Sequence, residues 1–576
     1  MLRKIALLLL LLPTWAAAQF NTDRLVMIGR SALYYEDYVL SIQYFNQAIL
    51  AKPYLYEPWF FRGVAKYYLD DFAGAENDCT QAIDRNPYVV GIYELRGLCR
   101  IQQKKYDDAI KDYNIALRHD PEGQNLWHNR ALCRIQQKEY DRALAEIDTM
   151  LTRWSRNARI YNMQAEVYLA QKDTTKAIEA IDKSLEIDAF DGHTWAMRSL
   201  ISLSREEWKQ SEEYLDKALH LLPKQGGLYI NRAMARYNQN NLRGAMADYD
   251  LALDYEPNNF LAHYNRGLLR AQVGDDNRAI TDFDFVLKLE PDNLMALYNR
   301  ALLLERTGNP RAAIRDYSKV IDEYPNFWTG LHQRAQCYRN LGMTKQAEQD
   351  EFRILKAQID KRYGKQPRLS KKQMRKRSDE DIEKYNQLAV ADEQELEHEY
   401  QSEYRGKVQN RKVGMDYMPM YVLTTQNNES GVRHYVAYDR QVDSLNTTLP
   451  PDLHLNIVCM PSYEASNSQL PDKIHVDPST AVYHWLRGNY EEALRCGPNA
   501  YLYYNRGNVF VQKADYAHAI GDYSRAIELD ANLAEAYYNR GLARIANKQK
   551  AEGIADLSKA GELGLYTAYS IIKRYR

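Results

Sequence analysis

The stretch that decides the fold is Trp59–Pro87, WFFRGVAKYYLDDFAGAENDCTQAIDRNP. Trp59, Gly63 and Lys66 share one face at helical spacing, and Ala75, Cys79 and Ala82 share another. Pro87 closes the second run because it cannot continue a helix. The stretch therefore predicts two helices with a turn between them. It also recurs. Prolines stand at Pro53, Pro87 and Pro121, and again at Pro223, Pro257, Pro291 and Pro325, in steps of 34 residues. From Pro121 to Pro223 is three such steps, with Ser155 and Ala189 in the intervening slots. Fixed self-similarity at this period predicts a solenoid before any other fold. With the closing proline at position 32, ten units start at Thr22, Tyr56, Val90, Gln124, Ala158, Gly192, Gly226, Phe260, Leu294 and Trp328, and two more at Ala500 and Ala534.

Position 8 is small in every unit (Gly63, Gly97, Ala131, Gly507), and so is position 20 (Ser41, Ala75, Ala109, Ala519). Position 4 is usually bulky (Trp59, Tyr93, Trp127, Tyr229), and position 24 is often aromatic (Phe45, Tyr113, Tyr249, Tyr523). Small residues on one helix thus receive large ones from the other. The period and this pattern resemble the tetratricopeptide repeat (TPR) family over residues 22–361 and 500–565, about 70% of the chain. The resemblance implies an all-α superhelical solenoid, and the residues themselves read as about 12 full repeats plus one degenerate repeat, interrupted by a small β-rich insert. It also implies a concave groove, lined by the first helix of each repeat, that holds a peptide or a partner protein. The stretch RGKVQNRKVGMDYMPMYVL, residues 405–423, resembles exported TPR proteins of Bacteroidota, from which no activity carries over.

Position 7 is Arg in ten units, and position 23 is acidic in nine of those ten. The pairs include Arg62 with Asp78, Arg96 with Asp112, Arg232 with Asp248, Arg266 with Asp282 and Arg300 with Asp316. The two units without the Arg, at Ile28 and Gln164, also lack the acid, having Tyr44 and Ala180. This co-variation predicts contact. A planar guanidinium can meet a carboxylate bidentately, so these are read as structural pairs rather than as a row of cations for an anionic ligand.

By the resemblance, positions 2, 5, 9, 12 and 13 face the groove. The residues taken as its lining are Phe60, Tyr67, Tyr68, His128, Tyr237, Tyr264 and Tyr298. Such a lining is aromatic with few charges, which suits apolar and backbone contacts to an extended segment, because Tyr offers area and one hydroxyl at low entropic cost. Receptors of this family that grip a terminal carboxylate use Lys and Asn. Position 5 here has no Lys, and position 9 has Asn only at Asn508, which argues against that ligand. Position 6 is repeatedly Asn (Asn129, Asn231, Asn265, Asn299, Asn505, Asn539). That amide either fixes a ligand backbone or satisfies a turn between units, and the turn is the expectation favoured.

The rest of the chain sets the context. Residues 1–18 read as a signal peptide: Arg3 and Lys4, an apolar run from Ile5 to Leu12, then Ala16-Ala17-Ala18 before Gln19. The run is too short to span a bilayer, and no later segment approaches a span. The mature chain is expected to be exported, periplasmic or associated with the outer envelope. Residues 362–405 read as a charged helix or linker, with a basic block Lys361–Arg377 followed by an acidic block Asp379–Glu403. Residues 406–477 read as a β-rich insert, from MYVLTTQ (Met420–Gln426), VRHYVAYDRQV (Val432–Val442) and LHLNIVCM (Leu453–Met460), with a hairpin loop at Asn427–Gly431. Residues 478–499 are a degenerate repeat, 500–565 two full repeats, and 566–576 an amphipathic helix expected to cap an open solenoid end.

The net charge of −1 among 576 residues gives no pull toward nucleic acid. Six Cys form no disulfide framework, although Cys79 and Cys99 could bridge adjacent units if their geometry allows. No phosphate loop, nucleophile elbow or metal-binding spacing occurs, so no catalytic residue, metal or cofactor is assigned. The expected function is a non-enzymatic interaction scaffold of the cell envelope that binds an unidentified protein or peptide in its groove. The alternative makes the β-rich insert a glycan-binding or enzymatic module with the repeats as its docking arm. Deleting residues 406–477 is the test that separates the two.

Overall fold

The structure is a computed structural model that describes residues 22–362, 385–391, 416–426, 435–461 and 474–575. The stretches read as a signal peptide (residues 1–18), most of the linker (362–405) and the hairpin loop (Asn427–Gly431) lie outside the described residues. The chain divides into two compact units, residues 1–139 with 400–576, and residues 140–399.

In the first unit, helices pair as α1 (Thr22–Tyr34) with α2 (Tyr38–Ala51), α3 (Tyr56–Tyr68) with α4 (Phe72–Arg85), and α5 (Val90–Gln102) with α6 (Tyr106–His119), followed by α7 (Gln124–Gln136). The second unit continues with α8 (Tyr140–Arg153), then the pairs α9 (Ala158–Ala170) and α10 (Thr174–Ile187), α11 (Gly192–Ser204) and α12 (Trp208–Leu221), and α13 (Gly226–Asn238) and α14 (Leu242–Tyr255). It ends with α15 (Phe260–Gln272) and α16 (Asp276–Leu289), α17 (Leu294–Arg306) and α18 (Pro310–Glu323), and α19 (Trp328–Asn340) and α20 (Thr344–Arg362). The architecture is all-α, and the one sheet among the described residues has two strands.

Each 34-residue unit is built by the same local chemistry. Position 15 turns left-handed in unit after unit, at Glu36, Asp70, Lys104, Lys138, Lys172, Glu206, Asn240, Gly274, Gly308 and Gly342. That residue ends the first helix, and in many units the next one caps the second. Asp71 Oδ1, for example, accepts from Gly74 N at 2.9 Å. The recurring aromatic at position 4 carries a polar tip for a reason. Trp59 Nε1 donates to Pro53 O at 3.2 Å, Tyr93 Oη to Pro87 O at 3.1 Å, Trp127 Nε1 to Pro121 O at 2.9 Å and Tyr229 Oη to Pro223 O at 3.0 Å. Each ties its helix to the turn before it, which phenylalanine could not do.

At position 24 the aromatics fill the space that position 8 leaves. Tyr113, Tyr249, Tyr317 and Tyr523 are fully buried. A Cβ on Gly97 would come within 2.7 Å of Tyr113 Cζ, and one on Gly507 within 2.7 Å of Tyr523 Cε1. The position 7 arginines sit beside the position 23 acids. Arg62 Nε and Nη2 donate to Asp78 at 2.9 and 2.6 Å. The same two donors reach Asp112 from Arg96 at 3.1 and 2.7 Å, and Asp248 from Arg232 at 3.0 and 2.6 Å. They reach Asp282 from Arg266 at 3.2 and 2.7 Å, and Asp316 from Arg300 at 2.8 Å each. The third nitrogen reaches back to the preceding repeat: Arg62 Nη1 to Asn46, Arg96 Nη1 to Thr80, Arg232 Nη1 to Asp216, Arg266 Nη1 to Asp250 and Arg300 Nη1 to Asp284. One guanidinium thus links both helices of its own repeat to the helix before them.

The insert belongs to the first unit. Strand β1 (Tyr421–Thr424) pairs antiparallel with β2 (Asn456–Cys459), Tyr421 opposite Cys459 and Thr424 opposite Asn456. The stretch Val432–Val442, read as β, forms no strand in its described residues. Its described part runs irregularly from Tyr435 and becomes the helix α21 (Arg440–Asn446), started by Asp439, whose Oδ1 accepts from Gln441 N and Val442 N. A short pair, α22 (Ala481–Leu486) and α23 (Tyr490–Cys496), precedes the pairs α24 (Ala500–Gln512) with α25 (Tyr516–Leu529) and α26 (Ala534–Ala546) with α27 (Lys550–Glu562). Tyr421, Leu423, Leu455, Trp485, Tyr501 and Tyr504 share one core, so the insert is packed into the C-terminal repeats rather than standing apart.

The terminal helix α28 (Thr567–Arg574) corrects the expectation of an open capped end. Its Ala568, Tyr569, Ile571 and Ile572 share a core with Tyr38, Ile42, Ala65 and Leu69 from α2 and α3. The last repeat packs on the first ones. Buried Lys66 reaches Asp78 at 2.9 Å and Glu562 on α27, and Asn46 Nδ2 donates to Glu562 O at 2.8 Å. Ser558 Oγ donates to buried Asp71, an approach that leaves no room for a Cβ on Gly74. Burial opposes the Lys66 charge, but Asp78 and Glu562 outweigh it and raise its pKa. Burial likewise opposes the Glu562 charge, and Lys66, Arg62 and Lys559 overcome it, holding that carboxyl well below the usual carboxylate range.

Candidate functional site

The site is a ladder of position 6 asparagines, each facing a stretch of the chain's own backbone. In the second unit the backbone is Tyr385–Ala391. Asn231 Oδ1 accepts from Ala391 N at 2.9 Å and its Nδ2 donates to Ala391 O at 3.0 Å. One repeat on, Asn265 does the same to Ala389, at 3.0 and 2.7 Å. In the next, Asn299 Nδ2 donates to Tyr385 O at 2.6 Å, and Tyr264 Oη donates to the same carbonyl at 2.6 Å.

The first unit repeats the arrangement with a different segment. Asn505 Oδ1 accepts from Tyr421 N at 2.8 Å and Nδ2 donates to Tyr421 O at 2.7 Å. Asn539 pairs with the N–H and C=O of Met418 at 2.8 and 3.0 Å. Tyr504 Oη donates to Met418 O and Pro419 O at 3.0 and 2.9 Å. A carboxamide presents a donor and an acceptor side by side, as one residue of extended backbone does, so each asparagine satisfies both polar groups of one peptide residue. In both units the segment runs opposite to the repeats: the later repeat holds the earlier residue. The turn-satisfying role favoured from the sequence is therefore corrected at Asn231, Asn265, Asn505 and Asn539.

The residues taken as groove lining divide. Tyr264 and Tyr298 come together at Tyr385, whose ring stands 4.5 Å from that of Tyr298 at 79°. Tyr298 is fully buried there, between Tyr317 and Phe327, and is covered rather than open. Tyr237 Oη donates to Gln272 Oε1 at 2.6 Å in the neighbouring repeat. Phe60 is buried and packs on Phe61, so it is core rather than lining. Tyr67 meets Phe72 edge-on at 5.5 Å, and Tyr68 stacks on Tyr38 at 5.0 Å. His128 lies half-buried on α7. Burial pushes the Tyr264 hydroxyl up, so it stays a donor at any ordinary pH.

None of the six cysteines is in a disulfide, and Cys79 and Cys99 are buried. Among the described residues no helix is long and apolar enough to cross a membrane, and no cluster of three metal-ligating side chains occurs.

A family model described as tetratricopeptide repeat matches residues 60–124, 101–157, 129–192 and 264–327, and one described as TPR repeat matches 507–547. The chain contains tetratricopeptide repeats. Among solved structures, this TPR protein is similar to YrrB, "a TPR protein with an unusual peptide-binding site", at 20% identity over 32% of this chain and 96% of that one, with a TM-score of 0.30. It is also similar to a tetratricopeptide repeat protein from Parabacteroides merdae, at 16% identity over 43% of this chain and 98% of that one, with a TM-score of 0.32. A third is PilW, a "type IV pilus biogenesis factor", at 20% identity over 36% of this chain and 94% of that one, with a TM-score of 0.31. No curated protein matches the chain.

Proposed function

We propose that this TPR protein is a non-enzymatic interaction scaffold, exported to the cell envelope, that binds an extended segment of a partner protein in the groove of its second unit. The observation that carries the reading is the pair of two-point contacts from Asn231 and Asn265 to the backbone of Ala391 and Ala389. A groove that grips main chain accepts many sequences, and the aromatic wall at Tyr264 and Tyr298 selects among them. Export rests on the tripartite pattern of residues 1–18.

The alternative, an insert acting as a separate glycan-binding or enzymatic module, needs an insert that stands apart. Leu423, Leu455 and Trp485 instead share a core with Tyr501 and Tyr504 of the repeats. Deleting residues 406–477 would therefore tear that core, and a gentler test is needed. A photo-crosslinking residue in place of Tyr237, used in cells and mapped by mass spectrometry, should mark one segment of a partner. The mark should vanish in the Asn231→Ala/Asn265→Ala variant. The same crosslinks with both asparagines gone would end the groove reading. Amino-terminal sequencing of the mature chain should begin at Gln19, and an intact Met1 would end the export reading.

A further inference from the structure

The two segments that lie against asparagine ladders are held in different ways. Residues 416–424 are part of the fold: Tyr421–Thr424 is the strand β1, Tyr421 Oη donates to Glu535 at 2.8 Å, and Trp485 Nε1 donates to Tyr421 O at 3.0 Å. Among the described residues, 385–391 pair with no strand. Their hold on the second unit is the backbone contacts to Asn231, Asn265, Asn299 and Tyr264, the Tyr385 ring against Tyr298, and the small side chain of Ala391. Asn386, Gln387 and Val390 face solvent. The sequence marks the same seven residues: YNQLAVA is an uncharged island inside the acidic block Asp379–Glu403.

We infer that Tyr385–Ala391 is a resident ligand mimic, a strap that occupies the partner site until a competing segment displaces it. The competitor is an extended segment of another protein with an aromatic residue followed by small residues four and six places later, running opposite to the repeats. This rests on the groove reading above and adds to it the occupant and its pattern. The pattern follows from what faces inward. Tyr385 packs its ring on Tyr298, against the core that also holds Tyr264 and Phe327. Ala391 is 7% exposed in the core of Tyr229 and Ile230, and its Cβ is 3.6 Å from where a Cβ on Gly227 would lie. That end of the groove admits a methyl group and little more. Between these two residues Asn386, Gln387 and Val390 face solvent, whereas Leu388 and Ala389 are half-buried. Because the strap belongs to the same chain, it competes at an effective concentration on the order of millimolar, which a free segment must overcome.

The test uses the full mature chain and a fluorescein-labelled peptide of residues 383–393, read by fluorescence anisotropy. The strap variant Tyr385→Ala/Ala391→Glu should bind this peptide at least about tenfold more tightly than the wild type does. Adding Asn231→Ala and Asn265→Ala to that variant should abolish binding. The milder Tyr385→Ala alone should fall between, which guards against misfolding of the double variant. In the wild type, excess peptide should speed hydrogen exchange at the Ala389 and Ala391 amides. Equal, asparagine-dependent binding to wild type and strap variant would overturn the strap while leaving the groove reading intact. No peptide binding to any variant would overturn both.

Discussion

Lys66→Met is the most telling perturbation of the junction between the first and last repeats. The Lys66 ammonium is wholly buried between Asp78 and Glu562. Asp78 would keep its two bonds from Arg62, so the loss falls on Glu562. That carboxylate would retain Lys559 at 2.8 Å, a lysine nearly half exposed, and Arg62 only at 4.0 Å. Removing one partner of a buried ion pair costs about 3–5 kcal/mol, and these residual cations place the cost near the lower end, about 3 kcal/mol. The assay is native-state hydrogen exchange of the α28 amides, because the loss should appear as local opening of the junction rather than as global unfolding. At about 1.4 kcal/mol per decade, opening should increase on the order of 100-fold. The double variant Lys66→Met/Glu562→Leu should recover most of the protection, since no charge is then left without its partner. If Lys66→Met changes α28 exchange by less than about threefold, or if the double variant is worse than the single one, the ion pair is not what joins these repeats.

Two further outcomes are expected. Gly97→Ala should destabilise the first unit by about 1–3 kcal/mol in urea unfolding, because the added methyl meets the buried Tyr113 ring; an unchanged midpoint would refute the packing account. Asp282→Asn should cost more at pH 7 than at pH 3. Burial opposes the Asp282 charge, but His263, Arg266 and Arg270 overcome it and lower its pKa. Its stabilisation is thus present above the ordinary Asp value of about 3.9 and lost as pH falls below it toward the lowered folded-state value. An equal cost at both pH values would refute this.

The fold was readable in the sequence because each repeat repeats its own constraints. Arg266 with Asp282, absent together at Gln164 and Ala180, shows contact without any structure, and Gly97 with Tyr113 shows complementary volume. Periodicity says which face a residue is on, but not what covers that face. Tyr298 sits at a groove position and is nevertheless buried, because the chain's own Tyr385 lies on it. Phe60 was misplaced for a related reason: position 5 points into the repeat interface as much as into the groove. The asparagine ladder was visible as a recurrence, but its partners lie 84 to 160 residues away in the chain, which no local spacing reveals. The meeting of the two ends, with Lys66 and Glu562 separated by 496 residues, was hidden for the same reason.

The central claim is that position 6 asparagines grip an extended backbone in the groove, and hydrogen exchange at the Ala389 and Ala391 amides tests it most directly. Both amides donate to an asparagine carboxamide, so in the wild-type chain they should exchange well below free-peptide rates. In the Asn231→Ala/Asn265→Ala variant they should return to those rates while α13 and α15 stay protected. Free-peptide exchange at Ala389 and Ala391 in the wild-type chain would contradict the account.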